Sequence, residues 1–150
     1  LIVRGYSNWA LVDTDTKKIV RYGDYDMSMY PFDEEPEMGI PQRFRIPKEL
    51  ELRKVGEITV GYHFTDINRH MNNTRYLNPL ADAIPGIEDL TITSFNIRYI
   101  HEAPYRSVIE MYMTDFADPA GVDPRADKVI YFKTFVNGEP NVEVVFGLKE

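Results

Sequence analysis

The sequence predicts an α+β domain in which one antiparallel sheet covers a single helical segment. Three observations carry that expectation. Four strand-like runs stand in succession, "ITSFNIRYIHE", "SVIEMYMTDF", "KVIYFKTFV" and "NVEVVFGL", all rich in β-branched and aromatic residues. A further run, "EITVGYHF", precedes them with Ile58, Val60, Tyr62 and Phe64 at alternate positions. These share one face of an extended chain. Between that run and the other four lies "NNTRYLNPLADAIPG", opened by asparagines suited to capping and closed by Pro85-Gly86, which reads as helix. Layering of this kind lets the helix bury the apolar face of the sheet.

Taken in order, "LIVRGYSNWALVD", a turn at "DTDT" and "KKIVRY" read as a hairpin with Asp and Thr in the turn. A domain rarely begins inside a strand, so the natural protein is expected to extend upstream of Leu1. From Gly23 to Pro47 the chain carries four prolines and no sustained period, the pattern of a linker. A strand is expected at about Val55 to Thr65. In the helical stretch Asn72 or Asn73 is the cap, and Pro79 removes a helical N–H. A kinked helix or two abutting pieces follow, the second restarting with Asn78 as cap and Pro79 as its first residue. The loop Ala117 to Asp127 separates the second and third of the four final strands. Asn137-Gly138 is a hairpin signal joining the last two.

Composition narrows the function. The net charge of −7 argues against a general nucleic-acid binder. The absence of cysteine removes disulfides, thiolate zinc sites and cysteine nucleophiles. No apolar run approaches the roughly 20 residues that cross a bilayer, and no secretory pattern opens the chain. A soluble, cytoplasmic protein is expected. The one dense basic stretch is Gln42 to Lys54, with Arg43, Arg45, Lys48, Arg53 and Lys54, which reads as a solvated face or as a docking surface for an acidic partner.

The candidate chemistry lies in "FTDINRHMNNTRYL". If the preceding strand continues, Asp66, Asn68 and His70 emerge on its apolar side, where such groups are costly unless paired or used. A calcium loop counted from Asp66 would want Gly and Glu where Met71 and Leu77 stand. Zinc needs more ligands, and His63 has the wrong strand parity to join His70. Ser94 and Ser107 lack the glycine context of a nucleophile elbow. There remains a polar cluster able to activate water, with His70 as proton carrier and the Asn68 amide facing a developing oxyanion. The helix start at Met71 to Thr74 adds free N–H groups. The alternative is structural: Asp66 and Asn68 cap the helix and His70 is a satisfied core residue. Spacing alone does not separate the two.

The segment "DINRHMNNTRYL" resembles the Asp-x-Asn-x-His-x-Asn-Asn-x-x-Tyr signature of the acyl-acyl-carrier-protein (acyl-ACP) thioesterases, which are built from hotdog domains. "SNWALVDTDTKKIVR" is similar to the Ser-x-Trp segment that ends their first hotdog repeat, and "IRYIHEA" resembles their Tyr-Arg-Arg-Glu-Cys segment. The resemblance implies a hotdog fold, a central helix wrapped by a curved antiparallel sheet. On that plan residues 1–22 are the last strands of an N-terminal repeat, 23–50 a linker and 51–150 the C-terminal hotdog with the active-site motif.

Carried over position by position, the likeness assigns Asp66, Asn68, His70 and Glu102 to catalysis. Glu102 and His70 would activate water, Asn68 would stabilise the oxyanion and Asp66 would orient Asn68 or His70, with the base left open between the carboxylates. A carboxylate on a largely apolar face would suit proton transfer near neutrality. Two departures stand out: Ala103 occupies the family's Cys position, which leaves only water attack, and Pro79 stands where the family commonly has Trp. The implied partner is acyl carrier protein, acidic and bearing the acyl chain on a phosphopantetheine arm. Arg69, Arg75, Arg98 and Arg106 compete with the basic stretch to dock it. A homodimer through sheet pairing is a further implication, and no cofactor is called for. The rivals are an acyl-coenzyme A thioesterase of the same fold and a non-catalytic acyl-binding module.

Overall fold

The computed structural model describes residues 44–150 and, upstream, residues 5–7, 9–13, 15, 16, 18–21, 23, 26, 28 and 29. The chain divides into two compact units, Leu1–Arg43 and Phe44–Glu150. In the first, the hairpin is visible as an antiparallel bridge between Val12 and Ile19. The Asp13 carboxylate accepts from the Thr16 N–H at 2.7 Å and the Asp15 N–H at 3.1 Å, so the aspartate builds the turn as its residue type suggests. Of the basic stretch, Gln42 and Arg43 lie outside the described residues, as does most of the linker.

The second unit is a five-stranded antiparallel sheet. Its strands are β1 (Arg53–Thr59), β2 (Thr91–Tyr99), β3 (Val108–Met113), β4 (Lys128–Val136) and β5 (Glu139–Lys149). Their spatial order is β1-β3-β4-β5-β2. The turn from β4 to β5 is the expected Asn-Gly hairpin, with Asn137 at φ 53° and Gly138 at φ 81°. Positive φ at both central residues gives a turn whose twist matches the flanking strands.

The helical stretch forms two abutting pieces. A single 3₁₀ turn, Asn73–Arg75, is capped by Asn72, whose side chain accepts from the Thr74 N–H at 2.9 Å. The α-helix α1 (Leu77–Asp82) follows with Tyr76, not Asn78, at its N-cap. Pro79 is therefore the third residue of α1, still in the first turn, where no helical partner awaits its missing N–H. The chain turns out of the helical region through Gly86 at φ 69°. The central helix is thus only six residues long.

Leu80 and Ile84 seat α1 on the inner face of the sheet, against Met111, Ile130, Phe132, Val144 and Phe146. Phe132 and Phe146 meet edge to face at 5.8 Å. The outer face is covered too: Phe44, Ile46 and Leu50 pack on Val129, Tyr131 and Val145. The end of the linker therefore serves as a sheet cover. It explains why β4 and β5 read as nearly continuous apolar runs, since strands buried on both faces lose their alternation.

One expectation fails at β1. The strand stops at Thr59, and Tyr62–Phe64 form a 3₁₀ turn instead of continuing it. Val60 is fully buried while Tyr62, of the same parity, is 83 % exposed. The polar residues that follow are therefore presented by a loop, and the parity argument against His63 no longer applies.

Candidate active site

The loop from Phe64 to Asn72 is folded back on itself by its own aspartate. The Asp66 carboxylate accepts from the N–H of Asn68 at 2.8 Å and of His70 at 3.3 Å. The Asp66 N–H in turn donates to the His70 carbonyl at 3.0 Å. Arg69 takes φ 61° to close the turn, a left-handed conformation that is uncommon for residues other than Gly. This is a local side-chain-to-backbone device of the kind aspartate favours. The alternation of Asp, Asn and His thus arises from a tight loop.

The far end of the loop is sewn to the segment after β2. His70 forms an antiparallel bridge with Pro104, the Met71 N–H donates to the Ala103 carbonyl at 2.8 Å, and the Tyr105 N–H donates to the Arg69 carbonyl at 2.8 Å. Met71 is 3 % exposed and Ala103 fully buried. Each anchors the side chain preceding it, and the two side chains meet: His70 Nδ1 lies 3.1 Å from Glu102 Oε2.

His70 is 31 % and Glu102 74 % exposed. The apolar setting expected for the acidic group is absent, because Glu102 projects from the last turn of backbone before the buried Ala103. The Asn68 side chain is exposed and makes no hydrogen bond among the described residues. Asp66 holds the loop backbone of Asn68 and His70 and leaves their side chains free. Position 103, the family's cysteine position, faces the core, so its side chain is a packing group here.

Two tyrosines line the inner side of the site. Tyr76 is 3 % exposed and its hydroxyl accepts from Asn141 Nδ2 at 3.2 Å. Burial pushes the Tyr76 phenol up, the Asn141 bond opposes this and the Glu102 charge adds to it. Tyr99 packs edge to face on Tyr76 at 5.8 Å and donates to the Asn73 carbonyl at 2.8 Å. Burial raises the Tyr99 phenol as well, with Tyr76 contributing. Asn141 itself, 1 % exposed, escaped the sequence reading because it reads as the ordinary first residue of the strand run "NVEVVFGL".

The basic residues sort by their partners. Arg53 pairs with Asp115 at 3.4 Å, and Lys54 pairs with Glu57 and Glu110. Arg45, Lys48 and Arg98 instead surround an open hollow of about 460 Å³, joined by Lys133 and by Glu143. Glu143 bonds Arg98 and Lys133, each at 3.3 Å. No helix among the described residues is long and apolar enough to cross a membrane.

Comparison with known proteins agrees with this arrangement. The family model for the acyl-ACP thioesterase C-terminal domain matches residues 48–139. Among solved structures the chain is similar to an acyl-ACP thioesterase from Bacteroides thetaiotaomicron, with TM-score 0.68 and 20 % identity over 92 % of this chain and 53 % of that one. It is similar also to the 12:0-ACP thioesterase from Umbellularia californica, with TM-score 0.67 and 18 % identity over 92 % of this chain and 51 % of that one. The chain spans about half the length of each. No curated protein sequence matches it. With more than half of its residues matched, the chain belongs to the acyl-ACP thioesterase family and carries that family's C-terminal hotdog domain.

Proposed function

We propose that the chain is the C-terminal part of a cytoplasmic thioesterase that hydrolyses fatty acyl-ACP to free fatty acid and ACP, ending chain elongation. The observation that carries this reading is the contact of His70 with Glu102 at 3.1 Å, at the end of the loop that also carries the exposed Asn68. With Nδ1 turned to Glu102, the carboxylate orients the imidazole and leaves Nε2 as the proton acceptor. Water attacks the thioester carbonyl carbon as its proton passes to Nε2. The oxyanion accepts from the Asn68 amide, and Asp66 keeps the loop in shape. Collapse breaks the C–S bond, and the departing thiolate takes the proton from Nε2. In this reading Glu102 orients and His70 is the base.

Residues 1–22 are then the last strands of a first hotdog repeat, 23–50 the linker and 51–150 the second repeat. The carrier docks at the hollow through Arg45 and Lys48, with Arg98 and Lys133 sharing the single carboxylate of Glu143 beside them, while Arg53 and Lys54 pair with Asp115, Glu57 and Glu110. Opposite charge on a docking surface steers encounter more than it tightens binding. Strand β2, at the edge of the sheet among the described residues and with Phe95 52 % and Ile92 40 % exposed, supports pairing with a second hotdog sheet, in a second copy or in a first repeat.

The test is release of free thiol from one long acyl chain presented on ACP and on coenzyme A. Preference for ACP is expected, with Glu102→Gln and His70→Ala each lowering turnover at least about a hundredfold. Arg45→Glu with Lys48→Glu should reduce turnover on ACP more than on small thioesters. Activity on coenzyme A alone would favour the rival hydrolase. Acyl binding with no thiol release from either substrate would leave a binding module.

A further inference from the structure

We infer that Asn141 is a positioning residue for Glu102, holding the backbone from which that carboxylate reaches His70. The inference rests on the reading of His70 and Glu102 as the reacting pair.

Asn141 lies in β5, opposite an irregularity of β4 between Lys133 and Phe135. Its Oδ1 accepts from Thr134 Oγ1 at 3.0 Å, which ties the side chain down on one side. On the other side its Nδ2 donates to the His101 carbonyl at 2.5 Å and to the Tyr76 hydroxyl at 3.2 Å. Its backbone carbonyl accepts from the N–H of Ile100 at 2.9 Å and of His101 at 3.2 Å. One residue therefore grips the chain just before Glu102 by three hydrogen bonds, two to its N–H groups and one to its carbonyl. The ring of His101 adds a fourth tie to the same stretch, Nδ1 lying 2.8 Å from the Pro140 carbonyl.

These bonds come where the ladder of β2 runs out. The last pair of β2 with β5 is Tyr99 with Val142; the Ile100 N–H carries the same register one step further to the Asn141 carbonyl, and the His101 N–H shares that acceptor. The side-chain amide adds the bond to the His101 carbonyl, directly before Glu102. Buried amides left without partners are costly, and a satisfied network is correspondingly stiff. Glu102 itself is 74 % exposed and has no packing of its own to select its rotamer. Its aim at His70 must come from its backbone. The alternative is that Asn141 merely plugs the irregularity in β4.

Thr134 separates the two, because Thr134→Val removes the bond to Asn141 Oδ1 and the one that the Val142 N–H donates to Thr134 Oγ1, while the His101 carbonyl and Tyr76 keep their bonds to Asn141 Nδ2. The readout is the NMR chemical shifts of the His70 ring at one fixed pH; the chain has three histidines, so the signals can be assigned by substitution. Asp66 and Arg69 stay in place in every variant. Glu102→Gln, which changes the group facing Nδ1, should move the ring signals. Asn141→Ala should move them at least half as far, and Thr134→Val less than half as far as Asn141→Ala. Asn141→Leu, close in volume and without donor or charge, makes the same test if the alanine variant does not fold. With thioester turnover, Asn141→Ala should also lower kcat about tenfold with KM within twofold. An Asn141 variant that matches Thr134→Val in both ring signals and kcat overturns the inference. Ring signals that move as expected in a protein that releases no thiol would overturn the hydrolase reading and leave the positioning role standing.

Discussion

Gly147→Ala is expected to destabilise the fold by about 3 kcal/mol. A Cβ at Gly147 would lie 2.7 Å from Ser94 Oγ, 2.8 Å from Asp123 Oδ2 and 2.9 Å from Thr93 Oγ1. The backbone has little room to retreat, because Gly147 pairs with Ser94 on one side and Val129 on the other. The side chains must yield instead. Asp123, 3 % exposed, accepts from Thr93 Oγ1 at 2.8 Å, from the Arg125 N–H at 2.9 Å and from Arg125 Nε at 3.1 Å. Swinging Oδ2 away forfeits the Thr93 bond and strains the Ser94 contact, while the Arg125 bonds to Oδ1 persist. A hydrogen bond to a charged group contributes about 1.5–3 kcal/mol, and an extra methyl in a packed site costs about 1–3 kcal/mol. The stiffer unfolded chain offsets about 0.4–1 kcal/mol of this. For a chain of this length the melting temperature should fall by roughly 6–12 °C. Urea and thermal melts measure it, and Asp123→Ala supplies the control. Without the carboxylate one of the three close contacts is gone and the Ser94 and Thr93 hydroxyls lose the acceptor that holds them there, so Gly147→Ala should cost at least about 1 kcal/mol less in that background. A single-mutant loss under about 1 kcal/mol, or additivity of the two substitutions, would refute the reasoning.

Two further outcomes follow from the same geometry. Burial alone would push the Asp123 carboxyl up, but hydrogen bonds from Ser94, Arg125 and Thr93 outweigh it and hold the group well below the usual carboxylate range. A depressed folded value contributes stability above the unfolded value of about 4 and loses it as pH falls. The urea midpoint should therefore drop on acidification below about pH 4, and Asp123→Asn should flatten that dependence. Asp66→Ala should cost about 1–2 kcal/mol in urea melts by leaving the Asn68 and His70 N–H groups unanswered. Asp66→Asn, which retains Oδ1, should recover most of that loss and most of the activity.

Legibility in the sequence followed the range of the forces involved. Asn137-Gly138 was readable because positive φ is a local demand met by particular residue types. The paired helical pieces were readable because Pro79 forbids an interior position, although Asn78 was the wrong cap: the 3₁₀ turn capped by Asn72 runs directly into α1. The end of β1 was not readable, since Val60 and Tyr62 continue one apolar alternation while only Val60 finds a core. The Val60 N–H still reaches the Ser107 carbonyl at 2.9 Å, in register with the pairing of β1 and β3, and the partner segment then turns away through Arg106 at φ 69°, a limit distant in sequence. The loop residues Asp66, Asn68 and His70 were found by resemblance and by their conflict with an apolar face, but the meeting of His70 with Glu102 is absent from any local period. Asn141 is the extreme case, because its partners lie in three other segments of the chain.

The site is built by alternating anchor and presentation. His70 is followed by Met71 and Glu102 by Ala103, and the two followers are buried in one cluster with Val60, Tyr76, Ile109, Val136 and Val142. The Met71 N–H reaches the Ala103 carbonyl directly at 2.8 Å. Two exposed side chains are thereby referenced to one core contact, so their separation is set by buried packing and not by their own solvated rotamers. This arrangement gives position 103 its meaning: it is fully buried, and what matters there is volume. A larger residue would part Met71 from the segment that presents Glu102, and the imidazole and carboxylate would separate with their anchors even though neither had been altered.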